Sequence, residues 1–410
     1  MTIWLIPIAF VVTYLGMAVG GVRGLRVDRA WIAIAAASLL LVSGAVSPVQ
    51  ALEYLDGGAL LLLFALMLVS AQFDFSGAYA RLTGLLERHA HRPALLLLGV
   101  VAMGGLLSAI LVNDIVAFAL TPLLCQTLNQ RGLDPRPFLL ALALSCNAGS
   151  VATLIGNPQN ILIGQAGALD FWGYTLVALV PALMALVVVY AVIWWQWRDV
   201  WQSLGPVVKQ SVERGEQGSY RYKPLLATLG LVVLFSLPFP REFSALIIAV
   251  LVMLSRSVES HRYVEKVDWN LLLLFVGLFL VTGAAAAVPE VSALARGLTV
   301  DGALPEGIAV LAGLSLVASN LIGNVPFVIL LLGLWPELSE ASLIGLAVMS
   351  TLAGNLLLIG SVVNLIVVEG ARRQGVRLGF TDFARSGVPV TVLSMLLAGL
   401  WLAGGGWLPW

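Results

Sequence analysis

The sequence predicts an all-α polytopic membrane protein, built as an inverted-topology repeat of two five-span halves. Three observations support this fold class. First, 60% of the 410 residues are hydrophobic and 11% are charged, with a mean hydropathy of +0.98, whereas typical soluble domains carry about 25% charged residues. Second, a single topology places nearly all the basic residues on one side of the membrane. Third, short motifs recur in the same order in the two halves.

Charge and cysteine content argue against several classes of function. The 22 basic and 22 acidic residues balance, so nothing favours nucleic acid or an acidic protein as a partner. Cys125 and Cys146 lie in apolar stretches without a CxxC motif, and we interpret them as small core residues. The apolar stretches contain no HExxH motif, which disfavours an enzyme within the membrane. We expect no catalytic residues, no bound metal centre and no cofactor beyond a coupling ion.

Stretches of about 20 apolar residues, the length that crosses a bilayer, predict eight simple spans. Two longer regions each cross once and carry polar residues at mid-depth, as broken helices do. Two others are too long for one span and have a polar cluster halfway along, as re-entrant hairpins do. The simple spans are at about 3–20, 30–47, 57–73, 173–197, 223–238, 243–257, 269–285 and 388–404, the broken helices at about 137–168 and 342–369, and the hairpins at about 93–128 and 306–334.

The basic residues test this topology, because cytoplasmic loops are enriched in Lys and Arg. If both hairpins enter and leave on the same side, 20 of the 22 basic residues fall on one side, and only Arg241 and Arg296 fall on the other. Drawing either hairpin as a single crossing reverses every later loop and destroys this partition. The distribution therefore predicts ten spans plus two hairpins in the cytoplasmic (inner) membrane, with both termini outside.

An internal repeat divides the chain into a first repeat at 1–198, a cytoplasmic linker at 199–222 and a second repeat at 223–410. Each half crosses the membrane an odd number of times, so the second copy begins on the opposite side, as in many secondary transporters. The matches are Leu61–Phe64 with Leu272–Phe275, Ser108 with Ser319 and Asn113 with Asn324 at an offset of 211, and Gly156 with Gly360 and Asn160 with Asn364 at an offset of 204.

Four polar clusters lie at mid-membrane positions of the hairpins and the broken helices. Backbone leaves the helix inside a bilayer only where protein buries it or where it lines a cavity. A single Asn or Ser often serves only to hold helices together, but four clusters paired by a repeat favour a transport site. The candidate substrate- and ion-binding residues are Ser108, Asn113, Ser150, Thr153, Gly156, Asn157 and Asn160 in the first half and Ser319, Asn320, Asn324, Gly354, Asn355, Gly360, Ser361 and Asn364 in the second.

Asp114 is the one carboxylate of the 22 that maps to the middle of the bilayer. An ionised Asp there costs about 2.5–3.5 kcal/mol even on a lenient insertion scale. No Lys, Arg or His is predicted at that depth, so we interpret Asp114 as a proton- or cation-coupling group, with a Na⁺ position near Asn113, Asp114 and Gly156. The other interpretation is a permanently neutral Asp bonded to backbone. Its repeat equivalent is Val325, so the two hairpin tips differ in charge.

These motifs resemble the ion transporter superfamily of citrate-transporter-like domains, which holds divalent-anion/sodium symporters, arsenite permeases and NhaD-type antiporters. Members carry Ser-Asn-Thr at each hairpin tip and a Gly-Thr-Pro-Pro-Asn-like break in the following helix. The corresponding segments here are Val112–Asp114, Gly323–Val325 and Gly156–Asn160. The resemblance covers essentially the whole chain and implies alternating access and a homodimer. The added acid and the missing tip hydroxyls resemble the arsenite-permease and putative anion-permease branch.

The resemblance and Asp114 together predict an ion-coupled secondary active transporter. The expected activity is export of arsenite or a similar small inorganic oxyacid or anion in exchange for protons, or for Na⁺. The alternatives are a sodium/proton antiporter of the NhaD type and a sodium-coupled anion or carboxylate symporter. The expected partners are the small inorganic ion and the lipid bilayer. A channel is disfavoured, because two hairpins that enter from opposite sides indicate alternating access.

Overall fold

The computed structural model describes residues 2–19, 28–87, 92–202, 222–254, 258–291, 293 and 307–409. All the regular secondary structure in these ranges is helical. Arg296 and most of the predicted linker lie outside them. The all-α polytopic architecture is confirmed, because five helices are long and apolar enough to cross a membrane. These are Gly57–Phe75, Pro93–Ile110, Phe171–Asp199, Trp269–Ala286 and Phe380–Gly404.

Ten helices form in the described part of the first half. Two of them begin at an Asp whose carboxylate accepts a backbone hydrogen bond: Asp28 accepts from Trp31 and Asp56 from Ala59. In chain order the helices are α1 (Thr2–Val19), α2 (Arg29–Val42), α3 (Pro48–Tyr54), α4 (Gly57–Phe75), α5 (Ala78–Glu87), α6 (Pro93–Ile110), α7 (Asn113–Gln130), α8 (Arg136–Ser150), α9 (Pro158–Ala166) and α10 (Phe171–Gln202).

The second half contributes nine more helices within the described residues, and a 3₁₀ turn, Leu358–Gly360, interrupts them in the predicted broken region. In chain order the helices are α11 (Lys223–Phe235), α12 (Arg241–Met253), α13 (Ser260–Glu265), α14 (Trp269–Ala286), α15 (Ile308–Ile322), α16 (Asn324–Leu334), α17 (Glu340–Ala353), α18 (Val362–Arg373) and α19 (Phe380–Gly404).

Several helix ends differ from the predicted spans. The span predicted at about 30–47 ends at Val42, because Gly44 adopts a φ of +70° and turns the chain. The span predicted at about 388–404 begins eight residues earlier, at Phe380. The short helices α3, α5 and α13 had no counterpart in the prediction, because a segment of six to ten residues carries no spanning signal.

Helices of the two halves interleave. α2 packs against α14 and α12 packs against α4, so an early helix of each half lies on a helix of the other. The pairs α7 with α18 and α9 with α16 also join the halves, whereas α6 with α8 and α15 with α17 pack within them. Each of these contacts has its counterpart at the equivalent place in the other half.

The centre of the molecule is formed by α8 and α17. Every residue of α8 from Pro137 to Ser150 is buried, and so is every residue of α17 from Ser342 to Ala353. By contrast, long apolar side chains on α10 and α19, such as Leu176 and Leu400, are exposed. An exposed apolar surface of this kind suits contact with lipid. The polar clusters of the two predicted broken helices thus lie at the ends of the most enclosed helices of the fold.

Candidate functional site

The first broken helix is interrupted between Ser150, where α8 ends, and Pro158, where α9 begins. A Cβ at Gly156 would overlap the carbonyl oxygen of Ser150 and lie 2.8 Å from that of Ser108, so only glycine fits. Pro158 occupies the first helical position, where its missing N–H costs nothing. The Asn157 side chain caps α9 by accepting a 2.8 Å hydrogen bond from the Asn160 amide.

The two breaks are closed by the same residue type in the same way. Asn160 Nδ2 donates to the carbonyl oxygens of Ser150 (3.2 Å) and Thr153 (3.0 Å). In the second half, Asn364 Nδ2 donates to the carbonyl oxygens at 354 (2.8 Å) and 357 (3.2 Å). Both Asn side chains are fully buried. Each therefore satisfies two carbonyl groups that an interrupted helix leaves unpaired.

The second break lacks proline, and Asn320 of α15 takes part in holding it. Asn320 Nδ2 donates to the Ala353 carbonyl (2.9 Å), and its Oδ1 accepts from the Leu357 amide (3.2 Å). A Cβ at Gly360 would overlap that Oδ1, which explains the glycine. The equivalent bond of the first half runs from Thr153 Oγ1 to the Ala109 carbonyl of α6 (2.6 Å). Asn320 is thus engaged with backbone on both sides of its amide.

Two side chains missing from the candidate set, Asn147 and Thr351, connect the breaks across the two halves. Asn147 Nδ2 donates to Asn355 Oδ1 (2.9 Å) and Asn364 Oδ1 (3.1 Å), and its Oδ1 accepts from Ser361 Oγ (3.0 Å). Asn147 and Thr351 are 204 residues apart, the offset of the repeat. That offset was the available signal for Thr351, a lone Thr in an apolar helix.

Thr351 makes the corresponding contacts with the first break. Its Oγ1 accepts from Asn157 Nδ2 (3.2 Å) and Gln159 Nε2 (3.1 Å) and lies 3.3 Å from Asn160 Oδ1. Tyr174 completes this side, since its hydroxyl donates to the Val151 carbonyl (2.8 Å). All the side chains in this network are buried except that of Thr153, which is partly exposed. A continuous hydrogen-bonded network therefore links the two halves inside the protein.

The chain turns at residues 111–112, at the tip of the predicted first hairpin, and this tip is docked on the first break. The Asn113 amide donates to the Gly156 carbonyl (2.9 Å), and Asn113 Nδ2 lies 3.3 Å from Asn147 Oδ1 and 3.4 Å from Ser150 Oγ. Asn113 Oδ1 is buried and has no hydrogen-bond partner among the described residues. Ser108 Oγ is buried too, and its one neighbour of hydrogen-bonding type in the described ranges is the weakly bonding Cys146 thiol. The docked tip thus leaves the Asn113 oxygen free and the Ser108 hydroxyl only weakly engaged.

Backbone contacts determine which atom of the Asn113 amide is free. The Nδ2 atoms of Asn355 and Asn364 donate to backbone carbonyls, so both residues present Oδ1 to Asn147. Asn147 must therefore turn its Nδ2 toward them and its Oδ1 toward Asn113. Asn113 then contributes its Nδ2 to that contact. The atom left unpaired at the first tip is an acceptor.

Asp114 lies beside this acceptor, in the first turn of α7. The residue is 7% exposed, and no hydrogen bond or ion pair joins its carboxylate to another described residue. The amide groups at the start of a helix favour a negative charge. The interpretation of Asp114 as a neutral acid bonded to backbone finds no such bond here. The carboxylate is instead enclosed and available to a ligand.

The second tip has a different construction. Gly323 adopts a φ of +98°, a conformation that favours glycine, and its amide donates to the Ser319 carbonyl (3.0 Å). Asn324 Oδ1 accepts from the Val325 amide (2.9 Å), so the free atom of this side chain is the donor Nδ2. Ser319 Oγ is buried without a partner in the described ranges. A Cβ at Gly354 would lie 3.3 Å from Asn324 Nδ2, so the glycine leaves space beside the tip.

One basic residue lies unexpectedly close to the second tip. Arg29, the first residue of α2, places Nη1 3.9 Å from the position that a Cβ on Gly323 would occupy. The distribution of basic residues assigns Arg29 to the cytoplasmic side, and the sequence predicts no basic group at the depth of Asp114. No local pattern identifies this contact, since it joins residues nearly 300 positions apart.

Known proteins resemble this chain over nearly its whole length. The profile of a family described as Citrate transporter (CitMHS) matches residues 8–342. The silicon efflux transporter LSI3 of Oryza sativa subsp. japonica is 27% identical, with 94% of each chain covered. The putative transporter arsB of Dictyostelium discoideum is 22% identical, with 92% of this chain and 87% of that one covered. The crystal structure of the Alcanivorax borkumensis YdaH transporter has the same fold, with a TM-score of 0.54, 15% identity and 98% of both chains covered.

Proposed function

The chain belongs to the citrate transporter family and is a transporter rather than an enzyme, and from this premise we propose that it is an ion-coupled secondary active transporter. It exports arsenite or a similar small inorganic oxyacid or anion by alternating access, in exchange for protons or Na⁺. One observation carries the proposal: Asp114 is an enclosed carboxylate without an ionic or hydrogen-bond partner among the described residues, beside the amide network of two broken helices.

The chemistry of the first tip supports the coupling role. The Asp114 carboxylate, the free Oδ1 of Asn113 and the Gly156 carbonyl are all oxygen acceptors. Hard cations such as Na⁺ prefer oxygen ligands, and a lone carboxylate is the group that a proton occupies. Acidic residues within a membrane commonly mark proton or ion pathways. We therefore assign the coupling ion to this tip.

Two considerations support a small inorganic substrate. Two of the relatives have names that refer to inorganic substrates, since one is called a silicon efflux transporter and the other arsB. An ionised Asp114 would repel di- and tricarboxylates, and the hydroxyl groups of a Ser-Asn-Thr tip are absent here. We therefore do not propose citrate, although the family is named after it. Antiport of Na⁺ and protons is the second candidate, because one buried acid with an Asn neighbour suits it as well.

An inverted-topology repeat is the proposed framework, with ten spans, two re-entrant hairpins and the boundaries given above. The equivalent bonds of Asn160 and Asn364, and the paired positions of Asn147 and Thr351, support it. The matching helix contacts of the two halves support it too. α6 alone has 18 residues and is as long as a simple span. The first hairpin is proposed because α6 and α7 pack together around a sharp turn.

The proposed orientation, with both termini outside the cytoplasmic membrane, agrees with contacts between loops. Lys266 Nζ and Asp74 Oδ2, both assigned to the cytoplasmic side, are 2.6 Å apart. Arg241, assigned to the outside, donates to the Leu169 carbonyl at the end of the first broken helix. A homodimer is proposed from the family resemblance alone.

Reconstituted vesicles with an internal pH indicator test the proposed function. An arsenite gradient is expected to drive proton movement through the full-length protein, and silicic acid and citrate gradients run in parallel compare substrate classes. Empty vesicles control for the passive leak of neutral oxyacids. Proton movement driven by Na⁺ alone, with no effect of any oxyacid, would replace the proposal with sodium/proton antiport. Movement driven by citrate and dependent on Na⁺ would replace it with carboxylate symport.

A further inference from the structure

Arg29 is a cation for which the proposed coupling mechanism has no use. It is partly exposed, and no hydrogen bond or ion pair joins it to another residue of the described ranges. The adjacent acid, Asp28, is engaged as the cap of α2 and accepts from the Trp31 amide at 3.0 Å. A guanidinium group keeps its charge and presents five donors. A partly buried guanidinium without a partner in the described ranges therefore has capacity to bind an anion.

The guanidinium of Arg29 reaches the turn of the second hairpin. Its Nη1 lies 3.9 Å from the site where a Cβ on Gly323 would be. Gly323 has no side chain and a φ of +98°, so on that face its backbone has only the Pro326 ring and the Arg29 guanidinium as near neighbours within the described ranges. α16 begins at the next residue and runs for 11 residues, so its positive end is at the same turn.

Unpartnered donors surround this turn. Asn324 is 3% exposed, and neither its backbone N–H nor its Nδ2 has an acceptor among the described residues. The Oδ1 of the same side chain is already engaged by the Val325 amide. Ser319 Oγ, four residues before Gly323 on α15, is buried and unpartnered as well. Val325, an uncharged residue, occupies the position at this tip that is equivalent to Asp114.

We propose that Arg29, Asn324 and the N-terminus of α16 form an anion-binding position at the second hairpin tip. The transported species thus reaches this tip as an oxyanion, which for arsenite is the deprotonated form of the acid, while the coupling cation occupies the first tip. A neutral oxyacid would need acceptors for its hydroxyl groups, and the free atoms here are almost all donors. This inference rests on the proposed function and specifies the charge of its substrate.

The direction of transport agrees with the position of Arg29. The topology derived from the basic residues assigns Arg29 to the cytoplasmic side. An anion entering from the cytoplasm would therefore meet the guanidinium before it reaches the amide network. Efflux requires loading from that side.

Anion binding is tested on the purified full-length protein by its melting temperature. Sodium sulfate, phosphate and arsenate are titrated at pH 7 against sodium chloride of matched Na⁺ concentration and ionic strength, with arsenite as a largely neutral comparison. At least one oxyanion is expected to stabilise the wild type. Arg29→Gln is expected to need at least about 10-fold more anion for the same shift, because a charge-assisted hydrogen bond is lost. Arg29→Lys should lie between them.

Arg136→Gln is the matched control, because Arg136 also begins a helix on the assigned cytoplasmic side but pairs with Asp134 at 2.7 Å. It should respond as the wild type does. If Arg29→Gln does not fold, Val325→Asp replaces it and is expected to abolish the anion response by placing a carboxylate at the second tip, in the position equivalent to Asp114. Equal responses of wild type and the Arg29 or Val325 variant would overturn the inference, as would a wild type that no oxyanion stabilises.

Transport measurements separate this inference from the proposed function. If vesicles transport an oxyacid and Arg29→Gln leaves the KM unchanged, the inference fails and the proposed function stands. If the wild type binds an oxyanion through Arg29 but transports none of the panel, the proposed function fails and the binding position stands. A higher KM in Arg29→Gln with wild-type kinetics in Arg136→Gln supports both.

Discussion

The two hairpin tips carry the same Ser-x4-Asn motif and yet offer opposite chemistry. At the first tip, Asn113 is docked on the broken helix, its free atom is the acceptor Oδ1, and Asp114 follows it. At the second tip, Asn324 uses its Oδ1 locally, its donors are free, and Arg29 approaches the turn. A repeated motif therefore does not imply repeated function. The hydrogen-bond partners of each Asn decide which of its atoms remains free for a ligand.

The two breaks behave differently from the tips, because their bonding is equivalent in the two halves. Asn160 and Asn364 each bridge two carbonyls of their own break. Asn147 and Thr351 each contact the break of the opposite half. The hydrogen bonds at the two breaks are thus equivalent, whereas those at the two tips differ.

Removing the Asp114 carboxylate should have the largest effect on transport, and it tests directly whether the two tips have different roles. Asp114→Asn is expected to reduce coupled transport to the level of empty vesicles while the protein remains folded, because Asn cannot exchange a proton and carries no charge for Na⁺. Proton flux in vesicles is the measurement. Asp134→Asn, which removes an exposed acid beside Arg136, is the matched control. Wild-type flux with unchanged pH dependence in Asp114→Asn would exclude this residue from coupling.

An added methyl group should lower the stability of the protein more at Gly156, where the first tip docks, than at Gly323 in the second tip. Gly156→Ala would overlap the Ser150 carbonyl oxygen, and we expect an apparent destabilisation of about 3 kcal/mol. Gly323→Ala meets no atom closer than 3.4 Å and bears only the strain of a backbone conformation that favours glycine, roughly 1–3 kcal/mol. Unfolding in detergent measures both variants. A larger effect at Gly323 would contradict the tighter packing described around Gly156.

The symmetry of the breaks predicts equal effects from equivalent substitutions. Asn160→Ala and Asn364→Ala each leave two buried carbonyls unsatisfied, which costs about 1–3 kcal/mol. The exposed Asn129→Ala on α7 serves as the control and should change stability by less than about 0.5 kcal/mol. Thermal unfolding curves recorded side by side test this. A difference between the two variants greater than the Asn129 effect would argue against equivalent roles.

The smallest effect on stability is expected from the serine of each tip. Ser319 Oγ has no partner in the described ranges, and Ser108 Oγ has only the weakly bonding Cys146 thiol, so Ser108→Ala and Ser319→Ala remove no strong hydrogen bond. Stability should stay within about 0.5 kcal/mol of the wild type, while the KM for the substrate rises if these hydroxyls contact it. Unfolding and transport assays measure the two properties separately. A clear loss of stability would instead assign the hydroxyls to packing.

Periodicity and polar residues in apolar stretches predicted much of the site. Helices are interrupted between Ser150 and Pro158 and between Ala353 and Val362, within the regions predicted as broken helices, and the candidate residues are buried with the exception of Thr153. The candidate residues do not all have free polar atoms, because Asn320 and Asn355 donate hydrogen bonds to backbone carbonyls. A role for these two as ligands stays a prediction. Sequence reasoning identified polar residues but not which of their atoms remain unpaired.

The contacts that sequence reasoning missed join distant positions. Thr351 bonds to Asn157 and Gln159, and Arg29 approaches Gly323. A single Thr in a helix and an Arg at a helix start have ordinary local explanations. Only the packing of one half against the other distinguishes them from their neighbours.

Composition and the spacing of motifs by themselves determined that the chain is an all-α membrane protein. They also indicated two interrupted helices and one carboxylate, Asp114, at mid-membrane depth. These properties depend on hydropathy and on local backbone rules. The tertiary structure alone decided that the first tip presents acceptors and the second presents donors. An Asn carries both kinds of group on one side chain. Which of them remains free depends on partners contributed by residues far away in the chain.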